Sequence, residues 1–176
     1  MREQKDIRVF FALWPNDAVR ESLHRASKTI PVERPGRRVP RYNLHLTLHF
    51  IGNVYFDQMA CLQQQARLVE ADAFELNIDC QGYFKKPRVA WLGCSEMPAA
   101  LSELHAQLGQ RLQLCDYRPE TRRYNPHVTM ARKIDRIPEL QSFGSILWVA
   151  EKFALIEVRQ IDNGVQYRVI ETYPLA

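Results

Sequence analysis

Residues 41–48 read Arg41-Tyr42-Asn43-Leu44-His45-Leu46-Thr47-Leu48, and residues 123–130 read Arg123-Tyr124-Asn125-Pro126-His127-Val128-Thr129-Met130. The two stretches align without a gap at a separation of 127 − 45 = 82 residues, nearly half of the 176-residue chain. Arg, Tyr, Asn, His and Thr recur in register, and the three positions after each histidine run apolar, Thr, apolar. Alternate side chains on a strand share a face, so His45 points with Thr47, and His127 with Thr129. Leu46, Leu48, Val128 and Met130 then point the opposite way into apolar packing, and a slip of one residue would bury the imidazole and the hydroxyl. Each half of the chain offers one titratable ring and one hydroxyl on a rigid platform. A pseudo-twofold relating the halves would bring the two polar faces together across a groove.

The flanking sequence supplies the rest of the architecture. Ile7 to Leu13 puts Ile7, Val9, Phe11 and Leu13 on one side and Phe10 and Ala12 on the other, a pattern that predicts a central strand. Asn16 or Asp17 caps a helix whose stripe is Val19, Leu23, Ala26 and Ile30, ending at Pro31. Leu44 to Phe50 reads as a strand stopped by Gly52-Asn53, and Asp57 opens a second helix with Met59, Leu62, Ala66 and Val69 inward. Phe74, Leu76, Ile78 and Cys80 alternate with polar neighbours, and Arg88 to Cys94 resumes as a strand after Gly82. These two are expected to be adjacent and antiparallel. A third helix follows Pro98, with Leu101, Leu104, Leu108 and Leu112 at helical spacing. Pro126 to Ala131, Phe153 to Val158 and Val165 to Tyr173 complete the strands. More strands than helices, without strict alternation, predicts an α+β protein with mostly antiparallel sheets. No Gly- or Ser-rich linker divides the chain, so residues 1–176 are read as a single domain.

Composition narrows the function classes. Hydrophobic residues at 46% and charged residues at 25% are ordinary globular proportions, which exclude a disordered or low-complexity chain. No apolar run is long enough to cross a membrane, and Met1 to Asp6 lacks the apolar stretch of a secretory signal, so a cytoplasmic protein is expected. A net charge of +4 suits a polyanionic partner. Cys61, Cys80, Cys94 and Cys115 contain no C-x-x-C pair, and each is expected to be a buried thiol.

Two imidazoles and two hydroxyls around one ligand suit phosphoryl chemistry. A free histidine titrates at about 6.5, so one copy can accept a proton while the other donates one near neutral pH. Threonine hydroxyls can hold non-bridging phosphate oxygens as charge grows on them. Neither repeat carries an Asp, Glu or Cys beside its histidine and there is no H-E-x-x-H helix, so no metal and no cofactor are expected. Solvent-facing sheet residues are the plain alternative for one copy alone; two matched copies argue for a site.

His45-Leu46-Thr47-Leu48-His49-Phe50-Ile51-Gly52 and Pro126-His127-Val128-Thr129-Met130-Ala131-Arg132 resemble the paired His-x-Thr-x motifs of the 2H phosphoesterase superfamily. Within it the chain is most similar to the LigT-like RNA 2',3'-cyclic phosphodiesterases, also described as 2'-5' RNA ligases. Val9 to Pro15 and Phe84 to Gly93 share the likeness, which extends over nearly the whole chain. The resemblance implies a bilobal fold with an internal twofold, a cleft lined by both motifs, and hydrolysis of a terminal ribose 2',3'-cyclic phosphate to a 2'-phosphate. His45 would be the proton donor to the leaving 3'-oxygen, His127 the base that activates water, and Thr47 and Thr129 the phosphate holders. It also implies a reverse reaction that makes a 2'-5' linkage; the expected partners are RNA ends or small cyclic nucleotides, with no membrane, and the chain is expected to be a monomer.

Five further residues are candidate substrate contacts. Strand parity puts His49 on the face of His45 and Thr47. Arg132 matches a recurrent family arginine, though strict alternation turns it away from the cleft unless a bulge brings it back. Tyr42, Tyr124 and Phe11, with Phe84, could stack a base or simply pack. His24 and His105 are read as structural. Arg34, Arg37, Arg38 and Arg41 precede the first motif and Arg118, Arg122 and Arg123 the second; they either flank the cleft and draw in RNA or sit on solvated loops. Two readings stand: a metal-independent phosphodiesterase, or an RNA-binding module whose histidines only position phosphates. Among enzymes, a tRNA-processing activity, a general RNA-end activity and one on small cyclic phosphates would share the same four residues.

Overall fold

A computed structural model describes residues 6–176. Most of the opening segment read for a secretory signal, residues 1–5, lies outside them. The chain forms β1 (Ile7–Leu13), α1 (Asp17–Ser27), β2 (Arg37–Arg38), β3 (Leu46–Val54), α2 (Phe56–Arg67), β4 (Phe74–Ile78), β5 (Cys80–Phe84), β6 (Val89–Gly93), α3 (Ala99–Leu112), β7 (His127–Arg132), β8 (Ile146–Ala150), β9 (Lys152–Ile161) and β10 (Gly164–Pro174). Among the described residues, three α-helices and two sheets whose pairings are all antiparallel make the α+β class that the strand count predicts.

The large sheet runs β10-β9-β1-β3-β7-β6-β5, with β2 beside β7. Its centre repeats: β1-α1-β3 on one side of the β3–β7 seam answers β6-α3-β7 on the other. Only Leu46 and Val128 pair across that seam, so the sheet is two wings joined at one ladder position. The predicted apolar stripes form the interior under the wings. Val19, Leu23 and Ala26 of α1 and all four leucines of α3 are buried. Asn16 caps α1 by accepting the Val19 amide at 2.9 Å. No helix among the described residues is long and apolar enough to cross a membrane.

Each wing carries a β-bulge at the same repeat position. Between β1 and β3 the partners step from Phe11↔His49 to Ala12↔Thr47, leaving Leu48 as an extra residue. Between β6 and β7 they step from Ala90↔Ala131 to Trp91↔Thr129, leaving Met130 extra, and 48 + 82 = 130. A bulge resets the in–out alternation of everything beyond it. Leu48 and His49 are therefore both buried and Phe50 exposed, as Met130 and Ala131 are buried and Arg132 exposed.

Four expectations need correction. Helix α1 ends at Ser27 rather than at Pro31, because Ser27 and Thr29 turn their hydroxyls onto the carbonyls of His24 and Ala26, and Arg38 closes the end by donating to the carbonyls of Ser27 and Ile30. Strand β3 runs through Gly52-Asn53 to Val54, Gly52 taking φ +92° at a second register shift. The Phe74 strand does not pair with the Arg88 strand: β4 joins β8 in the small sheet, while Cys80–Phe84 forms its own strand against β6. Finally, Cys61 and Cys115 are joined in a disulfide where α2 meets the turn after α3; Cys80 and Cys94 are free thiols.

Candidate active site

The seam between the wings assembles the two motifs. With Leu46 opposite Val128 in an antiparallel ladder, the register sets Thr47 against His127 and His45 against Thr129 on one face. The backbone then fixes each ring. His45 Nδ1 lies 2.7 Å from the Asn43 carbonyl, and His127 Nδ1 lies 2.8 Å from the Asn125 carbonyl. A carbonyl only accepts, so Nδ1 carries the proton in both rings and Nε2 keeps a lone pair. The Thr47 hydroxyl donates to His45 Nε2 at 3.0 Å. Both Asn-x-His spacings thus set a tautomer through main-chain oxygens.

Aromatic rings wall each imidazole. His45 packs against Phe10 (centroids 4.7 Å apart), Tyr167 (5.2 Å) and Trp14 (6.1 Å); His127 packs against Phe84 (5.0 Å) and Trp91 (6.3 Å). Gly82 leaves the space that the Trp91 ring occupies. Burial is accordingly the main force on both rings. It pushes His45 down to about 4, helped by the charges of Arg132, His127 and Arg20 against the Asn43 hydrogen bond. His127 is lowered too, again by burial first, then by Arg132 against the Asn125 hydrogen bond. Both rings are neutral at pH 7 in the free protein, each offering Nε2 as a base.

Arg132 reaches this centre because the Met130 bulge puts it in phase with His127 and Thr129, and its charge is felt by both histidines. The same device turns His49 inward. Its ring is buried behind β3, where Nε2 donates to the His105 carbonyl at 2.8 Å and Nδ1 accepts from the Tyr117 hydroxyl at 3.2 Å. The strand-face position expected for His49 goes to Phe50, while the His49 ring borders from the interior the same cavity that Thr47 and His127 line. Phe11 is likewise no substrate contact: it is fully buried among Phe153 and Tyr173, and its neighbour Phe10 faces His45. Tyr42 is exposed on the turn before His45. Tyr124 donates its hydroxyl to the Thr47 carbonyl at 2.9 Å and stacks on His105 at 3.7 Å, tying the second motif to the first. His105 is sandwiched between Tyr124 and His49, and burial pushes it down to about 4.

A cavity of about 380 Å³ opens beside Thr47 and His127, with Phe50, Phe84, Lys86 and Arg123 on its walls. Sequence reading missed Arg20, Phe10, Trp14, Trp91 and Tyr167. Arg20 is buried in α1 and donates to the carbonyls of Pro15 (2.9 Å), Tyr42 (3.1 Å) and Leu44 (3.4 Å) while its guanidinium lies over Trp14. It shapes the turn that delivers His45. An Arg inside an otherwise apolar helical stripe was the available signal. Asn43 adds a second brace, donating to the Val165 carbonyl and accepting the Tyr167 amide. Among the described residues, no three His, Cys, Asp or Glu side chains converge as a metal site.

Three comparisons place this geometry among known proteins. The family model described as the 2'-5' RNA ligase superfamily matches residues 15–162. The RNA 2',3'-cyclic phosphodiesterase of Escherichia coli (strain K12) is 32% identical over 126 residues, 71% of either chain. The protein of the same name from Thermus thermophilus is 29% identical over 187 residues, covering 96% of this chain and 90% of that one. Among solved structures, E. coli LigT complexed with 3'-AMP superposes with a TM-score of 0.88 at 27% identity, covering 98% of this chain and 99% of that one.

Proposed function

The chain belongs to the 2'-5' RNA ligase superfamily, and from that premise we propose that it hydrolyses the 2',3'-cyclic phosphate at the end of an RNA strand to a 2'-phosphate. The observation that carries this reading is the pairing of Leu46 with Val128, which sets two Nδ1-anchored imidazoles diagonally across the seam on one sheet face. The Thr47 and Thr129 hydroxyls and the Arg132 guanidinium hold the non-bridging oxygens and take up the charge that builds on them. His127 Nε2 removes a proton from a water that attacks phosphorus. The P–O3' bond breaks, and His45 Nε2–H delivers its proton to the departing 3'-oxygen. Water supplies both the oxygen retained on the 2'-phosphate and the proton passed to His127.

The acid in this scheme is neutral in the free protein, and the substrate corrects that. An anion within a few ångströms favours the charged form of an imidazole, so the cyclic phosphate raises the His45 pKa as it binds. Thr47 then accepts from His45 Nε2–H, or turns to the phosphate while His45 faces the 3'-oxygen. Run backwards with an RNA 5'-hydroxyl in place of water, the same groups make a 2'-5' linkage. We place the activity in the cytoplasm, in a monomer acting on RNA ends.

The test is a pair of pH profiles measured with chelator present. The profile of kcat/KM reports the free protein and that of kcat the complex. With both histidines lowered in the empty site, kcat/KM is expected to peak below pH 6.5 and kcat at least half a unit higher. Superimposed optima, or a rate without two limbs, would refute the acid–base pair.

A further inference from the structure

The sheet register places a second arginine beside Arg132. Strand β2 continues along β7 at the end where β3 has left it, with Arg37 opposite Arg132 and Arg38 opposite Ala131. Directly opposed residues share a face, with Cβ atoms about 5 Å apart. The facing of Arg37 is fixed independently by its neighbour: Arg38 turns to the helix side, where it caps α1 at the Ser27 and Ile30 carbonyls, so Arg37 projects from the other side of β2. Arg132 lies on that side as well, in phase with His127 and Thr129.

Two like charges opposed across a ladder destabilise it. Neither Arg37 nor Arg132 forms an ion pair within the described residues, although Arg41, Arg67, Arg88, Arg122, Arg159 and Arg168 all do. The exposed guanidiniums of Arg37 and Arg132 form a basic step that leads away from the histidines along the β2–β7 edge. The Arg132 charge is felt by both rings, and Arg132 is taken as the residue nearer the reacting phosphate. Arg37 stands level with Arg132, on the line along β7 that β3 leaves, the place of a neighbouring phosphate on the same polymer.

We infer that Arg37 binds the phosphodiester that joins the terminal nucleotide to the one before it, so that this cleft is built for a strand of RNA rather than for a free cyclic mononucleotide. The inference rests on the hydrolase reading above and adds the length of substrate that the site recognises. A phosphodiester carries one charge and two acceptor oxygens, which a planar guanidinium meets in bidentate fashion. The contact positions the strand without reading its bases.

The experiment compares two substrates, a trinucleotide ending in 2',3'-cyclic phosphate and the corresponding cyclic mononucleotide, and takes the ratio of their kcat/KM values. In Arg37→Gln that ratio is expected to fall about tenfold, mostly through KM, with Arg37→Lys between it and the parent. Salt should suppress the trinucleotide reaction less steeply in Arg37→Gln than in the parent, as one phosphate contact is lost. In Arg132→Gln both substrates should suffer alike and the ratio should hold. A ratio within twofold of the parent in Arg37→Gln, whether both rates stand or both fall, overturns the proposed subsite and leaves the hydrolase reading intact. A parent that opens neither cyclic phosphate overturns both.

Discussion

Alanine in place of His127 or of His45 is expected to lower kcat/KM for cyclic-phosphate opening by roughly a thousandfold, within the range of about 10²–10⁴ for a positioned acid or base. The size follows from the lack of a substitute. Each ring lies in its own aromatic enclosure, His45 against Phe10, Trp14 and Tyr167, and His127 against Phe84 and Trp91, and among the described residues no other imidazole shares either set of aromatic contacts. The double variant should lose little more than either single one, because acid and base serve one transition state and neither step proceeds well without the other. Steady-state kinetics on the three variants test this, with circular dichroism to establish that β3 and β7 still pair. Single variants within tenfold of the parent would show that the rings only position phosphate.

Arg132→Gln is expected to cost roughly a hundredfold, mainly in kcat, since a donor aimed at developing charge is worth about 10²–10³. This prediction depends on the Met130 bulge, without which the guanidinium would sit on the far face. It carries a second signature. The Arg132 charge helps to hold both histidines below their ordinary range, so its removal lets both rise, and the kcat/KM optimum of the variant should move to higher pH. A change of KM alone, with an unmoved optimum, would place Arg132 at the rim and not at the reacting phosphate.

The repeat was legible because alternation and identity coincide in it: His-x-Thr with apolar neighbours can sit in a strand in one way only, and α3 declares itself through four leucines on one stripe. The bulges were not legible. Leu48 and Met130 look like ordinary inward residues, and nothing local says that Leu48-His49 and Met130-Ala131 both go inward in succession. That one unseen residue per wing exchanges His49 for Phe50 and turns Arg132 toward the cleft. Tertiary packing supplies the reason for His49, whose ring fits against Gly109 of α3 and bonds to the His105 carbonyl and Tyr117. Strand β8 was missed because Ile146–Ala150 has no polar alternation, with Leu147 and Val149 apolar yet exposed. The Cys61–Cys115 bridge depends on how α2 lies on α3 and the turn after it, a contact between cysteines 54 residues apart that local pattern does not encode.

The most direct measurement is the identity of the product formed from an oligonucleotide ending in 2',3'-cyclic phosphate, incubated with the protein and a chelator. In-line attack by water from the His127 side, with His45 protonating the 3'-oxygen, leaves a 2'-phosphate and a free 3'-hydroxyl. Recovery of that isomer is the predicted result; a 3'-phosphate, or an unopened ring, would contradict it.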